Sequence, residues 1–142
     1  MITNFREKYF FLSNFYPVRV EYEGRVFPST EHAYQAQKCP QRAKEFNSDL
    51  TAGQAKRLGA SVPIRSDWEE AKVQIMLDLL RKKFADGTLL ATQLLFTADE
   101  ELIEENSWGD TYWGVYNGVG QNKLGKLLMQ VRDELIKKKE GR

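Results

Sequence analysis

The stretch that decides the fold is DWEEAKVQIMLDLLRKKFA, residues 67–85. Its apolar side chains recur every three or four positions, which is the spacing of the buried face of an α-helix. The members of this apolar stripe are Val73, Met76, Leu77, Leu80 and Phe84. Asp67 and Glu70 have the spacing of a capping box, which marks a helix start. The sequence therefore predicts a long helix over residues 67–85.

A second stripe of the same spacing follows Asn122, which we expect to cap the last helix. Its members are Leu124, Leu127, Leu128, Val131 and Leu135. Beyond it, residues 137–142 read as a fraying, solvated end. Shorter helices are predicted from cap and stop signals. They cover residues 29–38 with Ser29 as the cap, 41–47, 51–59 with a Thr51–Gln54 capping box, and 88–96.

Residues 18–22 alternate apolar and charged side chains, which is the pattern of a half-buried strand. Glu23 and Gly24 offer a tight turn before residues 25–27, so we predict a short β-hairpin that Pro28 ends.

The sequence contains neither GxGxxG nor GxxxxGK[ST], which argues against a Rossmann or P-loop site. The prediction is a mainly α fold, a compact orthogonal helical bundle with a small N-terminal β-hairpin.

The composition fits a single domain over residues 1–142. With 21 basic and 20 acidic residues the net charge is +1, which gives no global field for a long nucleic acid or an anionic membrane. One cysteine and one histidine argue against disulfides and a zinc site. The N-terminus shows no signal peptide, and no run of about eighteen apolar residues is present. We therefore expect a cytoplasmic protein with no membrane contact, metal or cofactor.

Two segments in the first third of the chain carry polar side chains that a helical core does not need. In LSNFYP, residues 12–17, Asn14 can pair with a base or ribose edge and Phe15 can stack on a ring, although an Asx-type turn with the aromatic residues in the core is the plainer explanation. In PSTEHAYQAQK, residues 28–38, helical spacing places Glu31, Gln35 and Lys38 in one row. A carboxylate, an amide and an ammonium within reach of one another suit acid–base work, although a solvated helix face is the plainer explanation.

Two further segments are rich in aromatic side chains. In RSDW, residues 65–68, Trp68 either packs or walls a flat pocket. ENSWGDTYWG, residues 105–114, crowds aromatic, amide and acidic side chains between glycines, which is typical of a site rather than of a packed loop. Its candidate residues are Asn106, Trp108, Asp110 and Trp113. The next segment is GVGQN, residues 118–122. Its backbone N–H groups and the N-terminus of the last helix predict a phosphate-binding site, to which Lys123 or Lys126 would add positive charge.

Taken in this order, these segments resemble the NADAR family, also called YbiA-like. The matching pieces are LSNFYP, PSTEHAYQAQK, a W-x-x-x-K pair, NSWGD followed by WG, and GQNKLGKLLM, over residues 5–135. The resemblance implies a compact, mainly α-helical fold and N-glycosidase chemistry on ribosylated heterocycles. It also implies riboflavin-pathway ribosylaminopyrimidine phosphates, or ADP-ribose on guanine, as substrate classes. By resemblance, Glu31, Lys38, Trp108 and Asp110 lie in segments that line the family's pocket.

Our expectation from these residues is a catalytic set of Glu31, Asp110 and Lys38. Glu31 would activate water or stabilise the sugar cation with Asp110 as its partner. Lys38 would bind phosphate, protonate the leaving group, or attack an opened ribose aldehyde. The expected substrate-binding residues are Asn14, Phe15, His32, Gln35, Trp68, Asn106, Trp108, Trp113, Asn122 and Lys126. This hypothesis requires the regions around residues 31 and 110 to wall one cavity.

The favoured function is hydrolysis of ribosylaminopyrimidine phosphates, a small nucleotide-like substrate class. One alternative is removal of ADP-ribose from guanine in nucleic acid, where the charge balance permits only a single base in a pocket. A second is a non-catalytic module that binds ADP-ribose or a nucleotide. A structural, partner-binding helical domain is a third, and it leaves the 105–114 segment unexplained.

Overall fold

A computed structural model describes all residues, 1–142. About 48% of the residues are helical and the sheet has two antiparallel strands, so the mainly α prediction with a small hairpin is confirmed. The strands are β1 (Pro17–Tyr22) and β2 (Arg25–Ser29), and the helices are α1 (Thr30–Ala36), α2 (Ala52–Gly59), α3 (Trp68–Lys83), α4 (Leu89–Leu95) and α5 (Lys123–Glu140). Short 3₁₀ helices cover Glu7–Leu12 and Pro40–Glu45. The predicted orthogonal crossing of the helices stays a prediction.

The chain forms two compact units. The central unit is Asn14–Lys83, and the terminal unit is Met1–Ser13 with Phe84–Arg142. The assignment of the whole chain to one domain stays a prediction. None of the helices is at once long and apolar enough to cross a bilayer. The expected cytoplasmic location also stays a prediction.

The predicted hairpin is confirmed at the N-terminal end of the central unit. Glu23 and Gly24 have φ of 51° and 74°, the left-handed pair that a type I′ turn requires. The prediction that Pro28 ends the hairpin is wrong, because β2 continues to Ser29, which pairs with Pro17 across a bulge. Both strands of a two-stranded sheet have an open edge, so the missing N–H of a proline can be tolerated there.

Helix α1 forms the middle of the central unit, where it contacts β2, α2 and α3 and all of its residues are buried. Ser29 caps it as predicted, accepting a hydrogen bond from the backbone N–H of His32 at 3.1 Å. The helix ends at Ala36, so the prediction that it reaches Lys38 is wrong. The N–H of Lys38 donates to the carbonyl of Gln35 at 3.2 Å, which tightens the chain into a 3₁₀ turn before Pro40.

Helix α3 confirms the long-helix prediction to within two residues at its C-terminal end. Met76, Leu77 and Leu80 of the predicted stripe are buried. At its start, both carboxylate oxygens of Asp67 accept hydrogen bonds from the Arg65 guanidinium, at 2.6 and 2.9 Å. The Asp67–Glu70 capping box predicted at this helix start stays a prediction. The predicted Thr51–Gln54 box at the start of α2 is present with both reciprocal bonds.

The terminal unit packs α4 against α5. Thr88 caps α4, accepting from the N–H of Ala91 at 3.2 Å, close to the predicted boundary. Residues 106–121 hold no helix or long strand, as their glycine and asparagine content predicted. Helix α5 runs to Glu140 and so includes residues 137–140, which we expected to fray.

Candidate functional site

Glu31 is a carboxylate held inside the central unit, with 7% of its surface exposed. It lies in the first turn of α1, and its backbone N–H donates to the carbonyl of Asn14 at 3.0 Å. Gln35 lies one helical turn later, so its side-chain Nε2 reaches the Glu31 Oε2 at 2.7 Å. The first contact holds the backbone of Glu31, and the second holds its carboxylate.

Lys38 lies beside this pair even though it follows the helix. Burial lowers the pKa of the Lys38 ammonium, and the attraction of Glu31 opposes that shift. Repulsion from Lys72 and Lys56 lowers the same pKa further. The structure thus brings the predicted row of Glu31, Gln35 and Lys38 together, with Lys38 on the turn that follows α1. The arrangement holds a carboxylate and a proton-donating amine near each other.

An aromatic pair adjoins Lys38. Trp68, at the start of α3, is 6% exposed, and its ring centroid lies 5.1 Å from that of Tyr34. The Nζ of Lys38 lies 5.9 Å from the Trp68 ring, a cation–π distance. Lys72, one turn further along α3, pairs with Glu69 at 2.9 Å. Trp68 therefore packs in the central unit and also supports the lysine side chain.

Three buried polar atoms around Glu31 have no hydrogen-bond partner: Asn14 Oδ1, Thr30 Oγ1 and Gln35 Oε1. The Asn14 amide nitrogen makes only a weak bond, to the Met76 sulfur at 3.6 Å. Native proteins pair nearly all such atoms, so each exception calls for an explanation, such as strain, a catalytic role or a bound polar group. This concentration in one place marks the surroundings of Glu31 as a candidate site. Phe15, next to Asn14, is 39% exposed.

His32 is held by hydrogen bonds inside the central unit, and its predicted contact with substrate stays a prediction. Its Nε2 donates to the carbonyl of Leu50 at 2.8 Å, since a carbonyl can only accept. Its Nδ1 then pairs with the hydroxyl of Ser29 at 2.6 Å. Burial lowers the pKa of His32, and the bond to Leu50 opposes that change. Both ring nitrogens are therefore used inside the central unit, which leaves the predicted substrate contact without support.

In the terminal unit, Asp110 organises the 105–114 loop. Its Oδ1 accepts from the backbone N–H of Tyr112 at 3.0 Å and of Trp113 at 2.9 Å, which makes an Asx turn. The Asn106 side chain donates to the backbone carbonyl of Asp110 at 2.8 Å and accepts from its backbone N–H at 3.0 Å. Asn106 and Asp110 thus shape the loop, and their predicted roles toward a ligand stay predictions.

The loop's aromatic side chains differ in exposure. Trp108 is 55% exposed, whereas Trp113 is half-buried and meets the ring of Tyr112 edge to face, with centroids 5.0 Å apart. Trp108 therefore offers an accessible flat surface. Glu31 lies in the central unit and Asp110 in the terminal unit, and the prediction that they wall one cavity stays a prediction.

Several backbone contacts at the start of α5 argue against the phosphate site predicted there, which stays a prediction. The backbone N–H groups of residues 121–124 already donate to carbonyls of the preceding loop, those of Thr111, Gly114, Tyr112 and Trp113. Asn122 precedes the helix but makes no capping bond. Its side chain instead accepts from the N–H of Glu104 and donates to the carbonyl of Leu102, both at 2.9 Å. Lys126 is exposed on α5, and its predicted contact with substrate stays a prediction.

Sequence reasoning missed Lys83, the last residue of α3. It is 3% exposed, and burial lowers its pKa from 10.5 to about 7. The Nζ lies 5.7 Å from the ring centroid of Tyr16. A signal was available, because Lys83 follows Met76 by two helical turns and so falls on the apolar stripe. No group of three or more His, Cys, Asp or Glu side chains is placed to hold a metal ion.

The protein is a mainly α-helical one with a small hairpin, in which the half-buried Lys38 lies beside the buried Glu31–Gln35 pair. The NADAR domain matches residues 3–136, so the chain belongs to the NADAR family.

Relatives agree with that membership. A riboflavin biosynthesis protein of Vibrio vulnificus is 42% identical over 135 residues, covering 91% of this chain and 36% of that protein. The N-glycosidase YbiA of Shigella boydii is 37% identical over 129 residues, covering 87% of this chain and 79% of that protein. The NMR structure of the E. coli protein YbiA matches with a TM-score of 0.85 at 34% identity, covering 99% of this chain and 86% of that one.

Proposed function

We propose that this protein is an N-glycosidase that hydrolyses the bond between a ribose and a nitrogen heterocycle. The observation that carries the proposal is the buried Glu31 carboxylate, fixed by Gln35 at 2.7 Å and lying beside Lys38. Breaking this bond builds positive charge on the sugar, which a preorganised carboxylate stabilises. The YbiA relative carries the name N-glycosidase, which supports the same chemistry.

The reaction needs one group for the water and one for the leaving base. Glu31 takes a proton from water as the oxygen attacks the anomeric carbon and the carbon–nitrogen bond breaks. Lys38 gives a proton to the departing nitrogen, and Glu31 then passes the proton that it took from water to Lys38, which restores both groups. An ammonium whose pKa is lowered releases its proton more readily than a solvated lysine. Asp110 is proposed as the second carboxylate.

The favoured substrate class is the ribosylaminopyrimidine phosphates. Lys56 and Lys72 each lie close enough to Lys38 to lower its pKa, so positive charge gathers around Lys38 in a chain of net charge +1, although Lys72 also pairs with Glu69. Such a local cluster suits a phosphate group. The Vibrio relative's name, riboflavin biosynthesis protein, points to the same class. This chain spans only 36% of that protein.

Replacement of Glu31 tests the proposal. We expect Glu31→Gln to bind substrate but to release base about 10²–10⁴ times more slowly, because one acid–base group is lost. The assay follows free base by chromatography after mixing with a ribosylaminopyrimidine phosphate. Glu21→Gln, an exposed glutamate on β1, is the control and should keep parental activity. A Glu31→Gln variant as fast as the parent would end this assignment.

A second candidate is removal of ADP-ribose from guanine, and the exposed ring of Trp108 favours it because such a surface can stack on a base. Parallel assays with ADP-ribosyl-guanosine and the ribosylaminopyrimidine phosphate rank the two substrates by kcat/KM. Stoichiometric binding without release of base from either one would instead favour a non-catalytic nucleotide-binding module.

A further inference from the structure

The last residue of α2, Gly59, lies directly against the side chain of Gln35 on α1. A Cβ at position 59 would overlap Gln35 Oε1 and lie 2.7 Å from Gln35 Cδ, which is closer than real side chains approach. Gly59 is buried and helical, so the contact rather than an unusual backbone angle requires glycine here. Any other residue at this position must move the Gln35 amide.

That amide is confined from two sides. Its Nε2 donates to Glu31 Oε2 at 2.7 Å, and its Oε1 is buried without a hydrogen-bond partner on the side of Gly59. Gln35 itself is 5% exposed. Close packing against Gly59 therefore restricts where this unpaired oxygen can lie. These contacts favour a positioning role for Gln35 over the base-reading role expected from the sequence.

We propose that Gly59 is a positioning residue, which sets the Gln35 amide and through it the orientation of the Glu31 carboxylate. The inference rests on the proposed function for its catalytic consequence. A displacement of about 1 Å at a reacting group can cost about 10²-fold in rate. The close approach of α2 to α1 therefore controls chemistry from a residue that does not touch substrate.

The test compares two alanine substitutions on the same helix. Gly59→Ala should lower kcat by about 10- to 100-fold, with KM changed less than threefold. Gly53→Ala is the control, since a Cβ there meets only Thr51 Oγ1 at 3.9 Å. A parental kcat in Gly59→Ala would overturn the proposal.

A shortened partner separates positioning from general packing. Gln35→Ala removes the overlapping amide and leaves only its Cβ, 3.1 Å from the new methyl group. Adding Gly59→Ala to Gln35→Ala should then change kcat less than threefold further. A full multiplicative loss in the double variant would overturn the proposal. If Gly59→Ala alone does not fold, folding of the double variant supports the proposal and its failure to fold overturns it.

A second measurement does not depend on catalysis. In Gly59→Ala, the NMR signals of the Gln35 side-chain NH₂ group should shift and exchange faster with water, while Gly53→Ala leaves them unchanged. Unchanged signals in Gly59→Ala would overturn the positioning geometry. Absence of base release by the parent chain would instead overturn the proposed function, while these signals still decide whether Gly59 sets the amide.

Discussion

At the scale of single residues, Lys83 links burial to pH. Burial favours its uncharged form and lowers its pKa to about 7, below the 10.5 of a solvated lysine. Between these values the unfolded chain binds a proton that the folded chain does not, so stability rises with pH. Below about pH 7 the folded protein must carry a buried charge, and its destabilisation is greatest there.

We expect the parent's free energy of unfolding to rise between pH 7 and 9.5 more steeply than that of Lys83→Met, by up to about 1.4 kcal/mol per pH unit. At pH 7 the methionine variant should be the more stable of the two. Urea denaturation at several pH values measures both. Lys82→Met, an exposed neighbour, should keep the parental slope. Equal slopes for the parent and Lys83→Met would contradict the low pKa.

Asp110 combines a structural contact with a proposed charge, and two substitutions separate them. Asparagine keeps the oxygen that accepts from Tyr112 and Trp113, whereas alanine removes it. We expect Asp110→Asn to retain the parental melting temperature and to lower kcat by about tenfold or more. Asp110→Ala should also lose about 1–2 kcal/mol of stability. A parental kcat in Asp110→Asn would contradict the catalytic role and leave Asp110 with only its structural role in the loop.

At the scale of elements, a substitution at Glu23 can relieve backbone strain in the hairpin turn. Glu23 adopts φ of 51°, a left-handed conformation that asparagine tolerates better than glutamate. We expect Glu23→Asn to raise the free energy of unfolding by about 0.5–1 kcal/mol, measured by denaturant melting. Glu21→Asn, in the extended strand β1, serves as the control and should be neutral or destabilising. A Glu23→Asn variant no more stable than the parent would contradict this reading.

Element boundaries show where sequence reasoning worked and where it did not. The start of α1 at Ser29 and the turn at Gly24 were predictable, because each depends on side chains within a few residues. The role of Asn122 was not, since its amide bonds residues 102 and 104, about twenty positions earlier. The start of α5 looked open in the sequence, and only the fold of the preceding loop revealed that its N–H groups are used.

At the scale of the whole molecule, a double variant tests whether Glu31 and Asp110 act in one step. If they do, the double variant Glu31→Gln with Asp110→Asn should be about as slow as the slower single variant, because each loss disables the same step. Steady-state kcat values of the parent, both single variants and the double variant supply the comparison. Losses that multiply would contradict a shared step and leave the two carboxylates with independent roles.

The sequence by itself determined the long helix α3, the hairpin, the caps of α1 and α2, and the segments in which candidate residues lie. Local spacing is enough for these features, because a helix face or a tight turn is set by residues within one or two turns of the chain. Only the tertiary structure decided that Gly59 confines Gln35 against Glu31 and that the start of α5 is closed by its own loop. Such contacts join residues far apart in the sequence, and no periodicity along the chain encodes which of them meet.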